Sequence, residues 1–207
     1  MSAFARLLLL MLALSTASGC VVGQSLPVAY VPPATDSHSV APSAQRVSAL
    51  VSVTDDRQLV TSGKEPPYYL GKYRAAIGTP WDVTTENKEP LADLVERDLM
   101  ADIEALGHRV VTSPPADRTV VVSIRDWNFT GYQNGRLWYD LLVTVSDPMG
   151  SPIASSNVQA EEIIKGTLIK GARGGFEREM PDVYQRIIWK LVRDNEVVTA
   201  ALAENGS

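Results

Sequence analysis

Between residues 119 and 146 the chain alternates apolar and polar side chains in two successive runs, and a period of two over such lengths leaves few folds open. In the first run, 119–129, Val120, Val122 and Ile124 face one way. In the second, 137–146, Tyr139, Leu141, Val143 and Val145 share a face, and a third arm spans about 153–164. Asn134-Gly135 is a hairpin signal between the first two arms, and Asp147-Pro148-Met149-Gly150 reads as a second turn. The pattern predicts a three-stranded meander with one face covered and one face wet.

Something apolar must cover that face, and two segments have the helical period to do so. Leu91, Leu94, Val95, Leu99, Ile103 and Leu106 fall on one side of a predicted helix, with Glu96, Arg97, Asp98, Asp102 and Glu104 occupying much of the other. Pro90 suits its first turn and Gly107 the position past its end. Met180, Val183, Tyr184, Ile187, Ile188, Leu191 and Val192 mark the second helix, with Pro181 in its first turn. The glycines of 171–175 read as a hinge before it, and Asp194 or Asn195 as the cap of a short helix through Leu202. Shorter strands are predicted at 47–53, 81–85 and 108–112, with Pro114-Pro115 breaking the chain before the meander. The segment 55–88 carries Gly63, Pro66, Pro67, Gly71, Gly78 and Pro80 and otherwise reads as a long loop. The fold expected over 46–207 is α+β, a single domain with a mostly antiparallel sheet. Its order is strand, helix, strand, three-stranded meander, helix, with two amphipathic helices packed on one face.

Ahead of this domain, Arg6 precedes an apolar stretch from Leu7 to Leu14 that is too short to cross a bilayer, which takes about 20 residues. The following Leu14-Ser15-Thr16-Ala17-Ser18-Gly19-Cys20 resembles a lipobox, so residues 1–19 read as a signal peptide and Cys20 as the site of lipidation. By resemblance to enteric lipoproteins, Val21 after the cysteine favours the outer membrane, with the domain facing the periplasm. Cys20 is the only cysteine, so acylation leaves none for a disulfide, a metal or a thiol nucleophile. Residues 20–45, with Pro27, Pro32, Pro33 and Pro42, read as lipidated cysteine and flexible tether, and His38 within it as a solvated side chain. Loss of Arg6 leaves 18 basic against 24 acidic residues, a net charge of −6, with no run of Lys and Arg to attract nucleic acid or an anionic surface.

These features together resemble a known family, the YajG-type uncharacterised lipoproteins of proteobacteria. The likeness rests on the lipobox, the strand ending in Val53-Thr54-Asp55-Asp56-Arg57, the helix 91–106 ending in Gly107, the meander, and the closing helix with its Asp194-Asn195 break. It implies a small α/β domain on a lipid tether, in a family without an established biochemical role.

Two groups of residues invite a functional reading. Asp55 and Asp56 could hold a cation or move a proton, but neighbours on a strand point to opposite faces, so a turn or strand-end ion pair with Arg57 is the simpler role. Tyr68, Tyr69, Tyr73, Arg74 and Trp81, with Lys64 and Lys72, place aromatics and cations on one loop, as a partner-binding surface does; the same rings could instead cover the core. Trp127, Tyr132 and Trp138 suit cross-strand pairing about the hairpin, and His108 suits the end of a helix. The chain has no phosphate loop, nucleophile elbow or zinc motif, so no catalytic residue, cofactor or metal is expected. The reading is a non-enzymatic, lipid-anchored envelope protein. Its partners are membrane lipid through Cys20 and an envelope protein, as a binding or auxiliary component of an assembly or transport system. The alternative is a glycan or peptidoglycan binding protein or hydrolase using the 55–88 loop. Metabolic labelling with a fatty acid tests the anchor: wild type should label and sediment with membranes, and Cys20→Ser should do neither.

Overall fold

The alternating runs become the long strands of an eight-stranded sheet in a computed structural model, which describes residues 25–28, 47–74, 80–166 and 171–203. In chain order its elements are β1 (Ser25–Val28), β2 (Ser48–Asp55), α1 (Gln58–Thr61), β3 (Tyr69–Tyr73), β4 (Trp81–Thr85), α2 (Leu91–Ala105), β5 (Arg109–Val111), β6 (Arg118–Gly131), β7 (Gly135–Ser146), β8 (Pro152–Ile164), α3 (Gly171–Leu191) and α4 (Glu196–Ala203). β6, β7 and β8 form the expected antiparallel meander. The hairpin closes at the Gly131–Gly135 pair, and Asn134 turns its amide oxygen to the Gly166 N–H at 3.0 Å. Gly135 lies in the strand, where a Cβ would come 2.6 Å from the Phe129 ring, so close packing rather than turn geometry requires it.

The sheet is mixed rather than mostly antiparallel. β2 runs parallel to both β5 and β6, β3 parallel to β6, and β1 parallel to β4, while β3 and β4 are antiparallel. The reason lies in the connections, because a strand returned by a helix pairs parallel. Between β2 and its parallel neighbour β5 the chain passes through β3, β4 and α2, and α2 makes the final crossover. One edge of β6 thus takes β2 along Arg118–Ile124 and β3 along Phe129–Gly131, and the other edge takes β7 throughout. Gly71, at φ +144°, lets β3 approach β6, since a Cβ there would lie 2.0 Å from the Phe129 carbonyl oxygen. β3 and β1 fall where a loop and a tether were expected. Both are short, and a strand of four or five residues beside prolines leaves little period to read.

α2, α3 and α4 do share one face of the sheet. Leu94, Leu99 and Ile103 of α2, Ile187, Ile188 and Leu191 of α3, and Val198 and Leu202 of α4 join Val51, Val122, Ile124, Tyr139 and Leu141 in a single core. Asn195 caps α4 by accepting the Val198 N–H at 3.3 Å. Two expectations for the helices fail. Asp98 and Asp102 are buried, not on the wet side of α2, and Asp102 meets Arg193 from beyond the end of α3 at 2.5 Å. Residues 171–175 are the first turns of α3, not a hinge, and Pro181 lies within that helix. Gly175 is there for contact: a Cβ would come 2.0 Å from the Lys165 carbonyl oxygen.

Leu99 is fully buried in this core. Leu99→Ala should lower unfolding free energy by about 2–5 kcal/mol in a denaturant titration.

Candidate functional site

Among the described residues the opposite face of the sheet carries only the one-turn helix α1, and its geometry begins at the corner after β2. There Asp55 and Arg57 form an ion pair at 2.6 Å with side chains only 8% and 5% exposed. Arg57 donates from Nε and Nη2 to the two carboxylate oxygens of Asp55, and to the carbonyl oxygens of Tyr69 at 2.5 Å and Pro67 at 3.0 Å. Its planar fork satisfies a carboxylate and two carbonyls at once, which an ammonium could not do in the same plane. Asp56 points elsewhere, accepting from Thr54 Oγ1 and Ser123 Oγ. The corner therefore uses its carboxylates as struts, and it fixes where β3 starts.

With β3 so placed, Lys72 stands directly opposite Thr130 of β6, which stands opposite Arg136 of β7. Side chains opposite one another in register share a face, and Arg74 follows Lys72 by two positions. A cleft of about 470 Å³ opens over this row, lined by Lys72, Arg74, Arg136, Asn128, Tyr132 and Tyr69, with Leu59 of α1 among the remaining walls. Three cations and no carboxylate line it, in a chain whose net charge is −5. Acidic groups stand outside: Glu65, partly buried, lies 3.7 Å from the half-exposed Lys72, and Glu161 lies 3.2 Å from Arg136 as an exposed pair. Among the described residues Arg74 has no ion-pair partner. Burial pushes the Tyr69 phenol up to about 12, with Glu65 and Asp82 adding to the shift and Arg57 opposing it. That ring stays a neutral hydroxyl at any physiological pH.

A second hollow of about 310 Å³ adjoins the first through Leu59, Tyr69 and Asn128, and includes Arg125 and Asp126. Burial raises the Asp126 carboxyl above its ordinary range, the Trp127 N–H and Arg57 oppose this, and Asp140, directly across the strand pair, adds to it. Beyond the hollows this face continues with Trp138, which is 42% exposed and lies between Asn128 and Glu161 on its neighbouring strands.

Of the loop residues singled out from sequence, Tyr69, Lys72 and Arg74 line the cleft, and Lys64, Tyr68, Tyr73 and Trp81 do not. Tyr73 and Trp81 pair across β3 and β4 with ring centroids 6.0 Å apart, and Tyr73 packs on the core. Tyr68 takes the Lys88 ammonium over its ring at 5.7 Å. The expectation that the chain has no cluster of cations holds along the sequence and fails in space. Lys72 and Arg74 meet Arg136 only because β3 pairs with β6, and that strand had no readable period. Among the described residues no group of His, Cys, Asp and Glu could hold a metal ion.

No family model matches the chain, and no curated protein does. A Xanthomonas campestris protein of the family DUF330 superposes with a TM-score of 0.51 at 14% identity, over 81% of this chain and 93% of that one. That likeness concerns the fold alone. A minor lipoprotein from Acinetobacter baumannii gives 0.37 at 10% identity, over 70% and 89% of the two chains. Uncharacterized lipoprotein B from Nitrosomonas europaea gives 0.35 at 13% identity, over 66% and 81%. None of the three is named as a YajG-type protein.

Arg57→Met would leave the Asp55 carboxylate buried without its counter-charge and two carbonyls without a donor. It should cost about 3–5 kcal/mol in thermal or denaturant unfolding. Arg74→Ser, on the rim of the cleft, should stay within about 0.5 kcal/mol of wild type.

Proposed function

We propose that this chain is a non-enzymatic binding component of the bacterial envelope. It is acylated at Cys20, faces the periplasm from the outer membrane, and serves as an auxiliary part of an assembly or transport system. The YajG-type likeness of its sequence agrees with a small domain on a lipid tether. The observation that carries the binding part is the face of the sheet opposite the long helices, where Trp138 of β7, Leu59 of α1 and Tyr132 of the hairpin are 42%, 43% and 50% exposed at or beside the polar cleft. Exposed rings next to guanidinium groups are the composition of protein interfaces. The anchoring part is supported by the Gly19-Cys20 junction. No helix among the described residues is long and apolar enough to cross a membrane.

Glycan binding is a second reading, and the same Trp138 favours it, since a ring flanked by amide and carboxylate side chains can stack on a sugar and hold its hydroxyls. Capture by the acylated protein from native membranes separates the two. One stoichiometric protein partner should be recovered, and Trp138→Ser should abolish recovery while leaving the melting temperature unchanged. Retention on purified cell wall, lost in the same variant, would support the glycan reading instead.

A further inference from the structure

β1, the strand that follows Cys20, lies at the edge of the sheet, two strands from the cleft residue Lys72. Ser25, the first residue of β1, lies opposite Asp82; Asp82 lies opposite Lys72, Lys72 opposite Thr130, and Thr130 opposite Arg136. At a strand spacing of about 4.8 Å, Ser25 is roughly 10 Å from the backbone of Lys72 and roughly 19 Å from that of Arg136. Only residues 21–24 separate Cys20 from Ser25. Five Cα–Cα steps can span at most about 18 Å. Acyl chains on Cys20 would therefore keep Ser25 within about 18 Å of the membrane surface.

We propose that the cleft takes the phosphate of an anionic phospholipid in the membrane that carries the anchor, so that the chain meets that membrane at two points. The inference rests on the anchored reading above and adds a ligand class and an orientation to it. Charge complementarity selects the headgroup: Lys72, Arg74 and Arg136 converge on a cleft that no carboxylate lines. Guanidinium groups grip phosphate oxygens in pairs, and the Tyr69 and Tyr132 hydroxyls add uncharged donors. Glu65 and Glu161 now engage two of the cations, but surface pairs of this kind contribute little and exchange readily for a phosphate. Asp82 is exposed in the same row, on the side of Lys72 away from the cleft. Tyr132, half exposed at the tip of the β6–β7 hairpin, has the amphipathic ring that settles at headgroup depth.

The test uses purified acylated protein in vesicles of phosphatidylcholine alone, or of phosphatidylcholine with phosphatidylglycerol, read by amide hydrogen exchange. Phosphatidylglycerol should slow exchange over 69–74 and 128–136. Arg74→Ser and Arg136→Ser should each lower that gain about fivefold, as removal of one cation near an anionic surface does. Arg178→Ser, exposed on α3 in the helical layer, should leave it unchanged. Equal protection in the two vesicles would overturn the proposal, and so would the same gain from free glycerol phosphate over phosphatidylcholine, because the ligand would then not be a membrane lipid. The intact mass is recorded on the same sample. A protein without acyl groups overturns the anchored reading itself, whereas an acylated protein indifferent to phosphatidylglycerol overturns only the headgroup.

Discussion

A buried guanidinium holds the two parts of the sheet together. β6 is long enough to accept two partners along one edge, and something must decide where β2 stops and β3 begins. Arg57 does so by tying Asp55 at the end of β2 to the carbonyls of Pro67 and Tyr69 at the start of β3. A buried ion pair is weak support for stability as such, since desolvation offsets much of its attraction. Its value here is geometric. Without it the register of β3 against β6 would depend on three residue pairs, of which one is Gly71 with Phe129.

The face opposite the long helices inherits its chemistry from that register. Lys72 and Arg136 share the cleft only when β3 sits beside Phe129–Gly131. A slip of one residue would turn Lys72 to the core and Tyr73 to solvent. Gly71 serves the same end by contact, occupying a place where a Cβ would strike the Phe129 carbonyl oxygen. A structural ion pair and a close backbone contact thus position the polar groups without touching whatever they bind.

How much of this could be read from the chain depended on length and periodicity. β6, β7 and α2 were legible because each repeats its apolar residue several times, so chance agreement is small. Ser25–Val28 and Tyr69–Tyr73 were not, because the pairing partner rather than the sequence makes them strands. Sheet direction was misread with them, as direction is set by connections and not by alternation. For the site, Tyr69 and Arg74 could be flagged from loop composition, but Arg136 belongs to a strand far along the chain and nothing local joins it to them. Asp98 and Asp102 were misplaced for a related reason: a carboxylate is assigned to solvent until its counter-charge is seen, and for Asp102 that is Arg193.

The one-sided sheet also bears on how freely such a chain can diverge. Inward positions of β6 and β7 demand an apolar side chain of suitable volume, and many substitutions meet that demand. Outward positions such as Thr130 or Thr144 demand only tolerance of an extended backbone. Few places are restricted to one residue type by geometry, chiefly the contact glycines and the Arg57 fork. A fold specified this loosely can be shared by chains that agree at few positions, as with the Xanthomonas protein at 14% identity. Letter-by-letter comparison then loses the likeness long before the architecture is lost.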